Sequence, residues 1–114
     1  MKILTSNIGA EELTPHILHH MSMSKDITKM RDRIGEVIPV KHYMLYEDVN
    51  SKGETQRILS IDDGYTVSAT NSPTFISDFE RIVSLHDMCG STLESVTVVA
   101  GVSKSGREYI TCEA

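Results

Sequence analysis

The sequence has little aromatic content: tryptophan is absent, and only 5% of the residues are aromatic. Its two cysteines, Cys89 and Cys112, lack the C-x-x-C spacing of redox and zinc motifs. The longest apolar runs, such as residues 98–100, are too short to cross a bilayer, and no basic segment followed by an apolar run suggests a secretory leader. We therefore expect a cytoplasmic protein without a membrane segment and with both thiols reduced.

Motifs of catalysis and nucleotide binding are missing as well. The sequence contains no Walker loop, no G-x-G-x-x-G and no G-x-S-x-G. His16, His19 and His20 have helical spacing, but no second close pair of ligands accompanies them, and an exposed helix surface explains them more simply than a metal site. Cys89 has no evident base to activate it. We therefore expect a protein that is not an enzyme and that uses neither a cofactor nor a metal.

The bulk composition is that of one globular domain. The chain has 114 residues, of which 39% are hydrophobic and 24% charged. It carries 11 Lys+Arg against 16 Asp+Glu, a formal net charge of -5, so binding to a polyanion requires basic groups gathered on one face. The one locally basic stretch, SKDITKMRDR at Ser24–Arg33, is either part of such a face or a solvated connector.

Hydrophobic periodicity predicts five strands and one long helix. Alternating apolar residues predict strands over residues 36–46, 55–61, 65–70, 94–102 and 107–113. Between the third and fourth, Asn71 or Ser72 as a cap and Pro73 as the first helical residue predict a helix. The order β-β-β-α-β-β predicts a mainly β protein with helices, built as an OB-fold-like five-stranded barrel over residues 34–114. Residues 1–33 are expected to form a helical extension packed on or beside it, with a short strand at residues 1–5 and a helix from Pro15 to about Met21.

Sequence-tolerant binding of single strands needs cations for phosphates and flat side chains for bases. An OB-fold presents these groups on strands two and three and on the loops joining strands one to two and four to five. Tyr65 shares its parity with Val67 and Ala69, so a position in the core is the competing interpretation for that residue. The candidate nucleic-acid-binding residues are Lys41, Tyr43, Lys52, Arg57, Tyr65, Lys104, Arg107 and Tyr109.

Three stretches resemble a known family. IGEVIPV at residues 34–40, ATNSPTF at residues 69–75 and GVSKSGREYITC at residues 101–112 are similar to small bacteriophage single-stranded DNA-binding proteins. The resemblance implies an OB-fold and non-catalytic, sequence-tolerant protection of single-stranded DNA during phage replication or recombination. It also implies work in the host cytoplasm, replication proteins as further partners, and Lys104, Arg107 and Tyr109 as DNA contacts. The absence of tryptophan departs from the stacking platform that many single-stranded DNA-binding proteins use.

A second function remains open at the level of sequence. The net charge of -5 favours a phage protein–protein adaptor or inhibitor whose acidic OB-like surface mimics nucleic acid. Basic groups gathered beside strands two and three would favour the DNA-binding interpretation, whereas a continuous acidic face there would favour the mimic. Exposed strand edges would also allow a homo-oligomer, and the sequence does not fix the oligomeric state.

Overall fold

The computed structural model describes residues 1–114, which fold into eight strands and two α-helices arranged in two sheets. In chain order the elements are β1 (Lys2–Ser6), α1 (Pro15–Ser22), β2 (Thr28–Lys29), a 3-10 turn (Met30–Arg33), β3 (Val37–Pro39), β4 (His42–Val49), β5 (Thr55–Asp62), β6 (Val67–Thr70), α2 (Pro73–Cys89), β7 (Ser95–Val102) and β8 (Glu108–Glu113). The larger sheet has the order β1-β4-β5-β6-β2, and the smaller sheet has the order β3-β7-β8.

Both helices begin as the sequence predicts. The Thr14 side chain accepts a hydrogen bond from the backbone N–H of Ile17, and the Ser72 side chain caps α2 in the same way. Each cap is followed by a proline at the first helical position, where a backbone N–H would have no partner within the helix. The α2 helix ends at Gly90, which adopts the left-handed conformation with φ of 67°. Capping residues therefore fix both ends of the longest helix.

The first predicted strand is the part of the sheet where the prediction is wrong in detail. Residues 36–46 do not form one half-buried strand: the chain bends at Lys41, so that β3 joins the smaller sheet and β4 the larger. Met44, Leu45 and Tyr46 are all buried, because β4 is central and is covered on both faces. The bend changes the face that each residue occupies, which a continuous alternation could not reveal.

The core has two parts, one on each face of the larger sheet. A cluster of 14 buried residues, including Leu59, Phe75, Phe79 and Val98, fills the space between this sheet, the smaller sheet and α2. A second cluster, including Met21, Met44 and Tyr46, lies under α1. The large sheet is thus the middle layer of the molecule.

The two sheets are not closed into a barrel. The free edge of β6 is occupied by β2, which pairs with it in parallel through Thr28 opposite Ser68 and Lys29 opposite Ala69. Strand β8 therefore pairs only with β7, and a seam stays open between β2/β6 and the β7–β8 hairpin. A mixed domain made mostly of strands, with two helices, is confirmed; the closed five-stranded barrel is not formed. No helix combines the length and apolar composition needed to cross a membrane.

Candidate nucleic-acid interface

The open seam forms a groove of about 1330 Å³, called the seam groove below. Five segments line it: residues 29–31 with Ile34, residues 56 and 58, residues 69–74, residues 100–102 and residues 108–110. They come from the 3-10 turn, β2, β5, β6, the first turn of α2 and both strands of the last hairpin. The groove exists because β2 caps the edge of β6 and keeps β8 away from it.

The charge of the seam groove is opposite to that of the chain. Lys29 and Arg31 line it and make no ion pair, and Glu108 is its only acidic residue. The whole chain has a formal net charge of -5. Lys29 and Arg31 flank Met30, which is fully buried, so the turn that anchors Met30 in the core holds both cations at the surface. The seam is therefore a locally positive surface on an acidic protein.

Tyr109 supplies the aromatic ring of this groove. It lies opposite Gly101 in the β7–β8 ladder and is 38% exposed. A Cβ atom built on Gly101 would lie 2.4 Å from Cζ of Tyr109, so the ring rests directly on the glycine backbone. The ring can take this position only because residue 101 has no side chain. A ring supported on one side and partly exposed is suitable for stacking a base.

The hairpin tip that bears Lys104 and Arg107 is held by its own hydrogen bonds. The backbone N–H of Ser103 donates to the Arg107 carbonyl at 2.8 Å, and the Arg107 N–H donates to Ser103 Oγ at 3.2 Å. Gly106 takes the positive φ of 83° that the turn requires. Lys104 and Arg107 are exposed and unpaired, two cations beside the strands that line the groove.

The first turn of α2 lies at the same groove. Ser72, Pro73 and Thr74 are among its lining residues. The N-terminus of a helix carries a partial positive charge, because its first N–H groups point outward along the axis. The helix thus adds a fixed positive dipole end to the two cations.

The remaining predicted residues lie elsewhere. Lys52 is exposed at the tip of the β4–β5 hairpin, at the end of β5 where Gln56 lines the groove. Arg57 is on the opposite face of β5 and pairs with Glu80 of α2 at 2.6 Å. Arg57 is therefore already engaged by a carboxylate outside the seam groove.

Lys41 and Tyr65 lie at the opposite end of the larger sheet. Lys41 donates its backbone N–H to the Asp62 carbonyl, and its side chain passes 3.7 Å from a Cβ built on Gly64 in the β5–β6 turn. Tyr65, in the same turn, is 98% exposed, so a position in the core is wrong. This turn and the groove end of β5 are separated by the full length of the strand.

Tyr43 is half-buried against α2. Its ring meets Phe79 of α2 edge to face, with centroids 5.1 Å apart. Burial raises the pKa of Tyr43, the hydrogen bond from Thr5 opposes this, and the Asp87 carboxylate adds to it. Of the predicted site residues, Tyr109 alone lines the groove, and Lys104 and Arg107 lie on the hairpin tip between the two strands that line it. The groove lining does not include the other five, which are Lys41, Tyr43, Lys52, Arg57 and Tyr65.

Lys29 and Arg31 line the groove, although they are not among the eight candidate residues named from the sequence. The sequence marks them only as part of the basic stretch at residues 24–33. Which surface this stretch lies on is decided by the parallel pairing of β2 with β6. Arg33 of the same stretch has a structural role, since it donates to Asp63 at 3.0 Å and to Ser68 Oγ at 2.9 Å. This mostly buried pair ties the 3-10 turn to the β5–β6 turn and so fixes the position of Arg31.

Two further groups, Asp63 and Cys112, have pKa values shifted by their surroundings. Burial tends to raise the pKa of Asp63, but hydrogen bonds from the N–H groups of Thr66 and Tyr65 and the Arg33 guanidinium outweigh it and hold this pKa below its usual range. Burial, with a smaller contribution from Asp78, raises the pKa of the Cys112 thiol to about 12. Cys112 is therefore a neutral core residue at physiological pH.

The seam groove has been described from its own geometry and charge, and no known relative adds to that description. No protein-family model matches the chain, and neither the curated proteins nor the solved structures contain a significant match to it.

Proposed function

We propose that this protein binds and protects single-stranded DNA without strong sequence preference, and that the seam groove receives the strand. The observation that carries the proposal is the gathering of unpaired cations, Lys29 and Arg31 in the groove and Lys104 and Arg107 beside it, on a chain with a net charge of -5. Unpaired like charges repel one another, so this concentration of positive charge does not stabilise the fold, whereas it favours binding of a polyanion.

The strand pairing supports an open OB-type arrangement. Residues 37–49 contribute to both sheets, with β3 beside β7 and β4 beside β5, and β6 follows β5. In this arrangement β5 and β6 correspond to the second and third OB strands, and the β4–β5 and β7–β8 hairpins correspond to the two ligand loops. Under this correspondence the seam groove includes residues of the second and third OB strands, which is the surface that an OB-fold uses for its ligand, and β2 takes the edge that closure would otherwise use.

The groove offers a distinct partner to each part of a nucleotide. Lys29, Arg31 and the N-terminus of α2 suit phosphate oxygens, and Tyr109 suits one base. Gln56 and Asn71, whose side chains are joined by a 3.2 Å hydrogen bond, provide amides beside them. With one aromatic ring in the groove, stacking contributes about 1–3 kcal/mol in total, so phosphate contacts provide most of the affinity.

A titration of labelled oligo-dT by fluorescence anisotropy tests the proposal. If the two groove cations and the two hairpin cations each contact a phosphate, log K falls against log salt concentration with a slope of about -3, since each contact to a single strand contributes about 0.7. Lys29→Ala and Arg31→Ala should each weaken binding and each reduce the slope by about 0.7. Lys2→Ala on β1 is the matched control and should change neither quantity. Absence of binding at low ionic strength would reject the proposal.

A protein–protein adaptor is the second candidate function. The observation that favours it is Tyr65, whose side chain is 98% exposed on a turn held by Asp63. Exposed tyrosines are frequent anchors of protein interfaces. The same titration, extended to double-stranded DNA and to RNA, separates the two functions, because an adaptor with an acidic surface would bind none of the three.

A further inference from the structure

A second cavity lies on the other side of α2, and it shares no residue with the seam groove. This cavity of about 240 Å³, called the helix pocket below, is enclosed by β1, β4 and β5 on one side and by α2 on the other. Its floor consists of core side chains, among them Leu45, Leu59 and Phe79, each at most 2% exposed. Since about 30 Å³ is the share of one water molecule in the liquid, the pocket has the size of roughly eight waters, which is the size of a single ring or a short chain.

The rim of the helix pocket is acidic. Glu80 and Asp87 stand on one face of α2, and both line the pocket. Arg57 neutralises Glu80 at 2.6 Å, whereas Asp87 makes no ion pair. The Tyr43 phenol lies between rim and floor; burial raises its pKa, as does the Asp87 charge, so the group stays a neutral hydrogen-bonding hydroxyl.

An apolar floor with an unpaired carboxylate at the mouth selects the charge and the shape of a ligand. An anion would be repelled by Asp87, and a fully polar ligand would lose its hydration against Leu45 and Leu59 without replacement. A compact hydrocarbon with one cationic end satisfies both parts of the pocket. We propose that the helix pocket binds a small organic cation, an alkyl- or arylammonium ion, with its hydrocarbon body on the floor and its ammonium group at Asp87.

Titration of ¹⁵N-labelled protein with 2-phenylethylamine tests the proposal, with 2-phenylethanol as the uncharged ligand of the same shape. We expect saturable amide shifts confined to residues 43–45 and 76–87, with a dissociation constant on the order of 1 mM for a ligand of this size. The alcohol should bind about tenfold more weakly, because the ion pair between the ammonium group and the Asp87 carboxylate is replaced by a hydrogen bond from a neutral donor. Equal binding of amine and alcohol, shifts centred elsewhere, or no shifts up to the solubility limit would overturn the proposal.

Three variants of exposed residues, one of them a control, provide a check that leaves the core unchanged. Asp87→Asn should weaken amine binding about tenfold and leave alcohol binding unchanged. Ser84→Trp, at the rim, should block both ligands. Asp26→Asn, on the turn before β2, removes an equivalent charge outside the pocket and should have no effect; a loss of amine binding there would mean that only the net charge matters. None of these outcomes depends on whether the seam groove binds DNA.

Discussion

Replacing Gly101 with alanine places a methyl group where the Tyr109 ring now lies. The new Cβ would lie 2.4 Å from Cζ, 2.5 Å from Oη and 2.7 Å from Cε2 of Tyr109, distances at which the ring must move. All three atoms are at the far end of a side chain that can rotate about χ1 and χ2. We therefore expect the ring to swing off the glycine while β7 and β8 stay paired.

The expected changes in stability and in binding differ in size. Alanine in place of a strand glycine returns roughly 0.5–1 kcal/mol of backbone entropy. A ring forced about 30° from its rotamer costs roughly 0.5–1.5 kcal/mol, so the free energy of unfolding should change by less than about 1 kcal/mol. Loss of one base stack costs about 1–3 kcal/mol of binding free energy, a factor of roughly 5 to 150 in the dissociation constant. Gly101→Ala should impair binding much more than folding.

Thermal unfolding and oligo-dT anisotropy, measured on the same preparation, check this expectation. Tyr109→Ala should give a similar loss of affinity, and Gly9→Ala is the matched control, because a Cβ at Gly9 meets nothing within 4 Å. Unchanged affinity in Gly101→Ala together with a loss in Tyr109→Ala would show that the position of the ring on the glycine is irrelevant. Unchanged affinity in both variants would refute stacking on Tyr109.

Three further outcomes follow from the structure. Arg33→Ala leaves the mostly buried Asp63 carboxylate without its ion-pair partner, so the free energy of unfolding in urea should fall by about 3 kcal/mol. The pKa of Asp63 is lowered in the folded state, so its contribution to stability is present above the unfolded pKa of about 3.9 and is lost as the pH falls through the lower folded value. Urea denaturation measured from pH 7 to pH 2 should show this loss of stability, and Asp63→Asn should make the loss smaller. Lys41→Ala and Tyr65→Ala, at the far end of the larger sheet, should leave the oligo-dT dissociation constant within about twofold of wild type, and a larger loss would place part of the interface at that end.

Local features of the fold could be read from the sequence, because they depend on residues close together in the chain. Thr14 with Pro15 and Ser72 with Pro73 mark the helix starts, and the alternation in residues 94–102 marks β7. The last hairpin, with Gly106 at its positive φ, is equally local. Each of these signals is contained within a few residues.

Features that depend on distant residues could not be read in the same way. Val40 and Tyr43 have opposite parity, so a continuous strand would place them on opposite faces. Because the chain bends at Lys41, both pack against the same core cluster, and Tyr43 contacts Phe79. The two-residue strand β2 is too short for a periodic signal, yet its pairing with β6 keeps the sheets open. Tyr65 has the same parity as the buried Val67, but it lies on the turn itself, before β6 begins.

Only the part of the groove that lies within one hairpin could be predicted from the sequence. Lys104, Arg107 and Tyr109 belong to one hairpin, and a basic turn followed by an aromatic residue is visible in the sequence. Lys29 and Arg31 are recognisable as basic, but only the tertiary fold brings them to the face opposite that hairpin. A charge pattern therefore indicates the chemistry of a surface, and the long-range pairing decides which charges share it.

The most direct test of the seam groove is amide chemical-shift mapping of ¹⁵N-labelled protein with an oligo-dT strand at low ionic strength. The proposed function predicts shifts concentrated in residues 29–34, 69–74 and 100–110, which lie on both sides of the open seam. Shifts concentrated around Lys41 and Tyr65, or no shifts at all, would contradict it.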